Sequence, residues 1–239
     1  ADVFFEKGAL KSVISRLLSD NRIATVCADM LPSDDSSDTE PGKMESVYRS
    51  YYGRMCNWES SVDSTYNFNG GLVAFKRSIF DKINERKGAD DANTAFEAIR
   101  RGYRAVYEIN AVVYEDIPED LSHQYRQKIR RATRLIEATL SNLDLLKQKR
   151  QFSRIFYPLR IMMFLLTPSL LISGSGIFLL WLLLQNIIYG MVLVAVLIII
   201  LAMKENVISS FVYYQFYLLI GLMQLGRDMR LWESTSGKN

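Results

Sequence analysis

Two adjacent carboxylates, Asp90 and Asp91, stand at the start of the amphipathic helical pattern in GADDANTAFEAIRRGYRAVY, residues 88–107. A carboxylate in that position can serve as a general base, and the positive end of the helix dipole is expected to lower its pKa. The pair also fits a plainer role as N-cap and first-turn acid. A second constellation lies in HQYRQKIRRATR, residues 123–134, where Gln127, Arg130, Arg131 and Arg134 fall at helical spacings of three and four. Guanidinium forks on one helix face can chelate phosphate oxygens bidentately. The same charges would also suit a helix lying on anionic lipid. His123 in this segment could act as a base or be an ordinary surface histidine. The third feature is Asn69-Gly70-Gly71 inside YNFNGGLVAF, residues 66–75, where the glycines force the backbone to turn or to approach something closely.

The elements that must position these groups alternate in type, as a layered α/β domain requires. Strands are predicted over 3–5, 22–30, 66–75 and 103–114, and helices over 7–18, 44–59, 77–84 and 91–101. A long basic helix is predicted over 121–149. The Pro-, Ser- and acid-rich segment 32–43 reads as an exposed loop whose carboxylates are solvated rather than metal-binding. Cys27 and Cys56, the only cysteines, have neither CxxC spacing nor a histidine nearby and read as reduced, structural thiols.

Beyond this the chemistry of the chain changes. No charged residue occurs from Ile161 to Met203, a run that as a helix would measure roughly 65 Å, about twice the hydrocarbon thickness of a bilayer. Crossings are predicted at 161–183 and 187–203, with a third apolar run over 206–226 that either spans or lies in the interface. The domains are therefore 1–150, a membrane region 151–228, and a polar tail 229–239. Ten basic residues between Arg126 and Arg160 precede the apolar runs, and the positive-inside rule places the α/β half in the cytosol. A net charge of +3 with this distribution implies a lipid bilayer as a partner and no nucleic acid. The apolar runs contain no Asp, Glu, Lys, Arg or His, which argues against a channel or transporter.

In this order the segments resemble the family-2 glycosyltransferases, which include cellulose, chitin and hyaluronan synthases and polyprenyl-linked transferases and carry a GT-A catalytic domain. The opening Ala1-Asp2 ahead of VFFEKGAL looks like the end of that family's Asp-x-Asp. The resemblance implies that Asp2 helps to hold Mg²⁺ or Mn²⁺, and that the chain is the C-terminal part of a longer protein: the C-terminal half of a GT-A domain followed by transmembrane helices. Asn69-Gly70-Gly71 ahead of Lys76-Arg77 resembles the family's acceptor-side strand. Counting back from Gly102-Tyr103 selects Asp91 as the catalytic base, with Asp90 in the place of the family's Glu. Gln127-Lys128-Ile129-Arg130-Arg131 resembles Gln-x-x-Arg-Trp, which contacts acceptor and diphosphate; Arg131 replaces the aromatic residue. The activity implied by the resemblance is inverting sugar transfer from a nucleoside-diphosphate sugar to a glycan or lipid-linked acceptor, on the cytosolic face of a plasma or inner membrane. The alternative is a membrane-tethered α/β binding or scaffold protein without catalysis, distinguished by indifference to metals and nucleoside diphosphates.

Overall fold

A computed structural model describes residues 3–37, 39–80, 87–117, 121–203 and 207–226. Its sheet has four strands, β1 (Val3–Phe5), β2 (Ile23–Pro32), β3 (Val73–Phe75) and β4 (Arg104–Glu115), in the order β1-β4-β2-β3. The central pair β2/β4 is parallel, with Cys27 opposite Tyr107, and both edge strands run antiparallel to their neighbours. Covered on both faces, β2 is almost continuously buried, which is why IATVCADMLP reads as an unbroken apolar run rather than an alternation.

On one face α1 (Ala9–Leu18) presents Val13 and Leu17 to Val26, Ala28, Val106 and Val113. Opposite it lie α3 (Glu40–Val62) and α4 (Asp90–Arg100), the latter burying Ala92, Ala95, Phe96 and Ile99 at helical spacing. Tyr66 stacks on Phe96 at 4.2 Å in this second core.

Several boundaries differ from those predicted. The 32–43 segment is not all loop: a short α2 (Asp34–Ser37) precedes α3, which starts at Glu40 because the Thr39 hydroxyl accepts the Gly42 N–H at 3.1 Å and Pro41 suits the first turn. The strand expected over 66–75 is confined to 73–75. Before it, the Asn69 side chain donates to the Ala28 carbonyl at 2.8 Å and accepts the Gly71 N–H at 3.0 Å, taking the place of ladder bonds. Of the helix expected over 77–84, residues 77–79 form a turn and 81–84 lie outside the described residues. The basic helix, α5 (Leu121–Ser141), stops earlier than predicted, where Asn142 turns its amide back onto the Ala138 carbonyl, and a 3₁₀ turn, Leu143–Lys147, follows.

The first apolar element, α6 (Phe152–Gln185), is a 34-residue helical run, long and apolar enough to cross a membrane, and only 11% of its most apolar window is buried in the protein. It begins inside the α/β core, where Phe152, Phe156 and Tyr157 pack with Tyr66 and Phe96. Arg150 pairs with Asp63 beneath it. Arg160, the last of the ten basic residues ahead of the apolar runs, is only 1% exposed and pairs with Glu59. After α7 (Ile187–Ala202) the chain bends by 92° into α8 (Val207–Met223). This third helix lies back along α5 and α3: the Tyr214 hydroxyl donates to Glu45 at 2.6 Å, and its ring stacks on Tyr48.

Candidate functional site

A cavity of about 1360 Å³ opens between α3, the 68–75 segment, the start of α4, α5 and α8. It gathers most of the residues singled out in the sequence: Asn69, Gly70, Gly71, Asp90, Asp91, Gln127, Arg130, Arg131 and Arg134 all line it. Asp2 lies outside the described residues, as do Lys204, Glu205 and the 229–239 tail. His123 is not among the lining residues.

The two aspartates occupy different environments. Asp90 is exposed (side chain 73%), and its carboxylate accepts from Arg134 at 3.0 Å. Asp91 turns inward; its Oδ1 accepts the Ala92 N–H at 2.8 Å, and a Cβ built on Gly70 would stand 3.3 Å from its Oδ2. Burial pushes its pKa up to about 6, with Asp90 acting in the same direction; the helix-start N–H groups and Arg134 pull the other way and lose. The lowering expected from the helix dipole is thus reversed, because desolvation of a carboxylate outweighs the partial charge at a helix end.

The 69–71 turn brings Asp91 to the sheet. Gly70 takes φ +73°, a left-handed conformation that suits glycine, and a Cβ at Gly71 would meet Met30 Sδ and Val113 Cγ2 at 3.0 Å each, so the turn can lie this close to β2 and β4 only without a side chain at residue 71. From α5, Gln127 and Arg130 face the cavity half-buried. Arg131 and Arg134 line it too, but carboxylates hold their guanidiniums: Glu115 takes Arg131, and Asp90 takes Arg134.

Sequence reasoning missed a buried ionic network in the cavity wall. Glu45 pairs with Arg49 and Lys128, and Glu115 pairs with Arg49 and Arg131. Burial alone would raise Glu115, but Arg131 and Arg49 hold it at about 2. Burial also brings Lys128 down to about 8 against the pull of Glu45. The one local signal is the Glu45/Arg49 spacing of four on α3; Glu115 and Arg131 sit on consecutive elements 16 residues apart, and the other two pairs are 66 and 83 residues apart. Cys27 and Cys56 are buried free thiols, as expected.

Among the described residues no three His, Cys, Asp or Glu side chains cluster to hold a metal ion, and Asp2, the residue that the resemblance assigns to one, lies outside them.

Comparison with known proteins sets this geometry in context. The mannosyltransferase PcManGT from Pyrobaculum calidifontis, solved in complex with GDP-Man and Mn²⁺, matches with a TM-score of 0.71 over 93% of this chain at 20% identity, a likeness of fold. This chain spans 61% of that protein's length. No curated protein matches. The family model described as glycosyl transferase family group 2 matches residues 12–208, most of the α/β half together with α6 and α7. The mixed sheet is therefore a GT-A-like sheet, and the chain belongs to glycosyl transferase family group 2.

Proposed function

We propose that this chain carries the acceptor side of an inverting sugar transfer from a nucleoside-diphosphate sugar to a hydroxyl of a glycan or lipid-linked acceptor. The observation that carries the reading is Asp91, an inward-facing carboxyl with a pKa of about 6 at the edge of a large cavity that Gln127 and Arg130 also line. In the step, Asp91 takes the acceptor's hydroxyl proton while that oxygen bonds to the anomeric carbon from the face opposite the leaving group. The bond from that carbon to the diphosphate oxygen breaks, and the nucleoside diphosphate leaves with the bonding pair. Arg130 and Gln127 support the diphosphate, Asp90 keeps Arg134 in place, and Arg131 braces the wall through Glu115. Mg²⁺ or Mn²⁺ would supply charge neutralisation at the diphosphate, and the fold neighbour's Mn²⁺ supports a divalent metal; Asp2 is assigned to it by resemblance.

The 34-residue α6 and the exposed apolar faces of α6 and α7 support an integral membrane protein with its α/β half in the cytosol. The docking of α8 against α5 and α3 supports an interfacial rather than a spanning position for the third apolar run.

A base must be ionised to accept a proton, so kcat/KM of the full-length protein should rise with pH through a midpoint of about 6 and level off above it. A flat profile between pH 5 and 8 in the wild type would remove Asp91 from the role. Gly70→Ala places a methyl 3.3 Å from Asp91 Oδ2 at a positive φ, so transfer is expected to fall about tenfold alongside a stability loss of only about 1–2 kcal/mol, which leaves the protein folded under assay conditions. Steady-state rates and a melting curve on the same preparation check this.

A further inference from the structure

Strand β2 carries one charged residue, Asp29, only 7% exposed; it makes no salt bridge with a described cation, and Arg49 acts on it only from beyond contact. A buried carboxylate without a contacting counter-ion is costly, and its position has to be explained by what it holds. Asp29 Oδ1 accepts the Tyr107 hydroxyl at 2.7 Å and the Met30 N–H at 3.0 Å. Space for it exists because residue 53 is glycine: a Cβ there would stand 3.0 Å from Asp29 Oδ1. Tyr107 is a wall residue of the same cavity as Asp91 and is itself 4% exposed.

The contact fixes the polarity of Tyr107. Its single proton is committed to Asp29, so its oxygen offers only lone pairs to anything else. An anionic oxygen finds nothing there, whereas a ligand O–H finds an acceptor. One helical turn before Gly53, Arg49 supplies the complement. Its Nε and Nη2 are taken by Glu45 and Glu115, while Nη1 is buried with no partner. Arg49 lines this cavity as well. An acceptor atom and an unused donor suit a neutral sugar, whose hydroxyls both donate and accept.

Resting on the glycosyltransferase reading, we infer that Tyr107, positioned by Asp29, and Arg49 form a subsite that reads a sugar hydroxyl. The sugar belongs to the donor or to the acceptor glycan, and the test separates these sources. Binding of GDP, UDP, GDP-mannose, UDP-glucose and mannotriose is measured on the full-length wild type and on Tyr107→Phe. Loss of one hydrogen bond to a hydroxyl is expected to weaken either the nucleotide-sugar or mannotriose by about tenfold, with the bare nucleotide unchanged. The first pattern assigns the donor sugar and the second the acceptor. Unchanged affinity for every ligand, or equal weakening of the bare nucleotide, overturns the inference while leaving the transferase reading intact. A wild type that binds no nucleotide removes both. Because Tyr107→Phe also strips Asp29 of its partner, the double variant Asp29→Asn/Tyr107→Phe is included. It should recover thermal stability without recovering sugar affinity, whereas a purely structural pair would recover both.

Discussion

Asp91→Asn is expected to reduce sugar transfer by about a thousandfold while leaving donor affinity within about twofold of wild type, because removing a positioned general base costs roughly 10²–10⁴ in rate. Asn keeps the size of the side chain and its contact with the Ala92 N–H but cannot take the acceptor's proton. The same change should stabilise the protein at neutral pH. Asp91 has a folded pKa of about 6 against the ordinary 3.8, so the folded protein holds a proton that the unfolded chain has released between those values. The penalty for burying the charged form is absent below pH 4, grows as pH rises, and is complete above pH 6, where it reaches at most about 3 kcal/mol. Asn removes it. A variant that loses activity while its melting temperature rises at pH 7.5, with the rise vanishing near pH 4, carries the signature of a functional carboxyl kept at the expense of stability. Asp90→Asn is the matched control. That carboxylate is exposed and paired with Arg134, and its loss should cost transfer no more than about tenfold.

Gly88→Ala should have the largest effect on folding. Gly88 takes φ +106°, and a Cβ there would lie 2.3 Å from the Ala138 nitrogen and 2.6 Å from the Arg134 carbonyl oxygen, both backbone atoms of α5. Neither can swing aside as a side chain would. The left-handed conformation costs an alanine about 1–2 kcal/mol, and forced separation of the two helices adds about 1–3, so a loss of about 2–5 kcal/mol is expected. The site is lost with it, since the Ala89 N–H bonds the Arg134 carbonyl at 3.1 Å and Arg134 bonds Gly88 and Asp90, contacts that set the start of α4. Chemical unfolding checks the magnitude. Gly102→Ala supplies the comparison: it has the same sign of φ but open space around the Cβ, and should cost only about 1–2 kcal/mol.

Legibility in the sequence depends on the range of the forces involved. Strands β2 and β4 and helix α4 were legible because burial of one face or of both leaves a repeating apolar pattern in consecutive residues. Clustering of Asn69, Gly70, Asp91, Gln127 and Arg130 rested on resemblance, and one cavity gathers them. The start of α3 was legible in principle from Thr39 and Pro41 but was hidden by the acidic, Ser-rich composition around them. Glu45 with Lys128, and Glu115 with Arg49, were not legible, because nothing local marks partners that meet only after the chain folds. Asp91 shows the same limit in its energetics. The helix start that lowers a carboxyl pKa is visible in the sequence; the desolvation that overrides it belongs to the assembled cavity.

The central claim places Asp91 against the reacting hydroxyl, and a structure of the full-length protein with nucleoside diphosphate, metal and acceptor measures that directly. The account predicts an Asp91 carboxylate oxygen about 2.6–3.2 Å from one acceptor hydroxyl, with Gln127 or Arg130 turned to the diphosphate. An acceptor hydroxyl resting on a different carboxylate, with Asp91 facing away from both ligands, would contradict it.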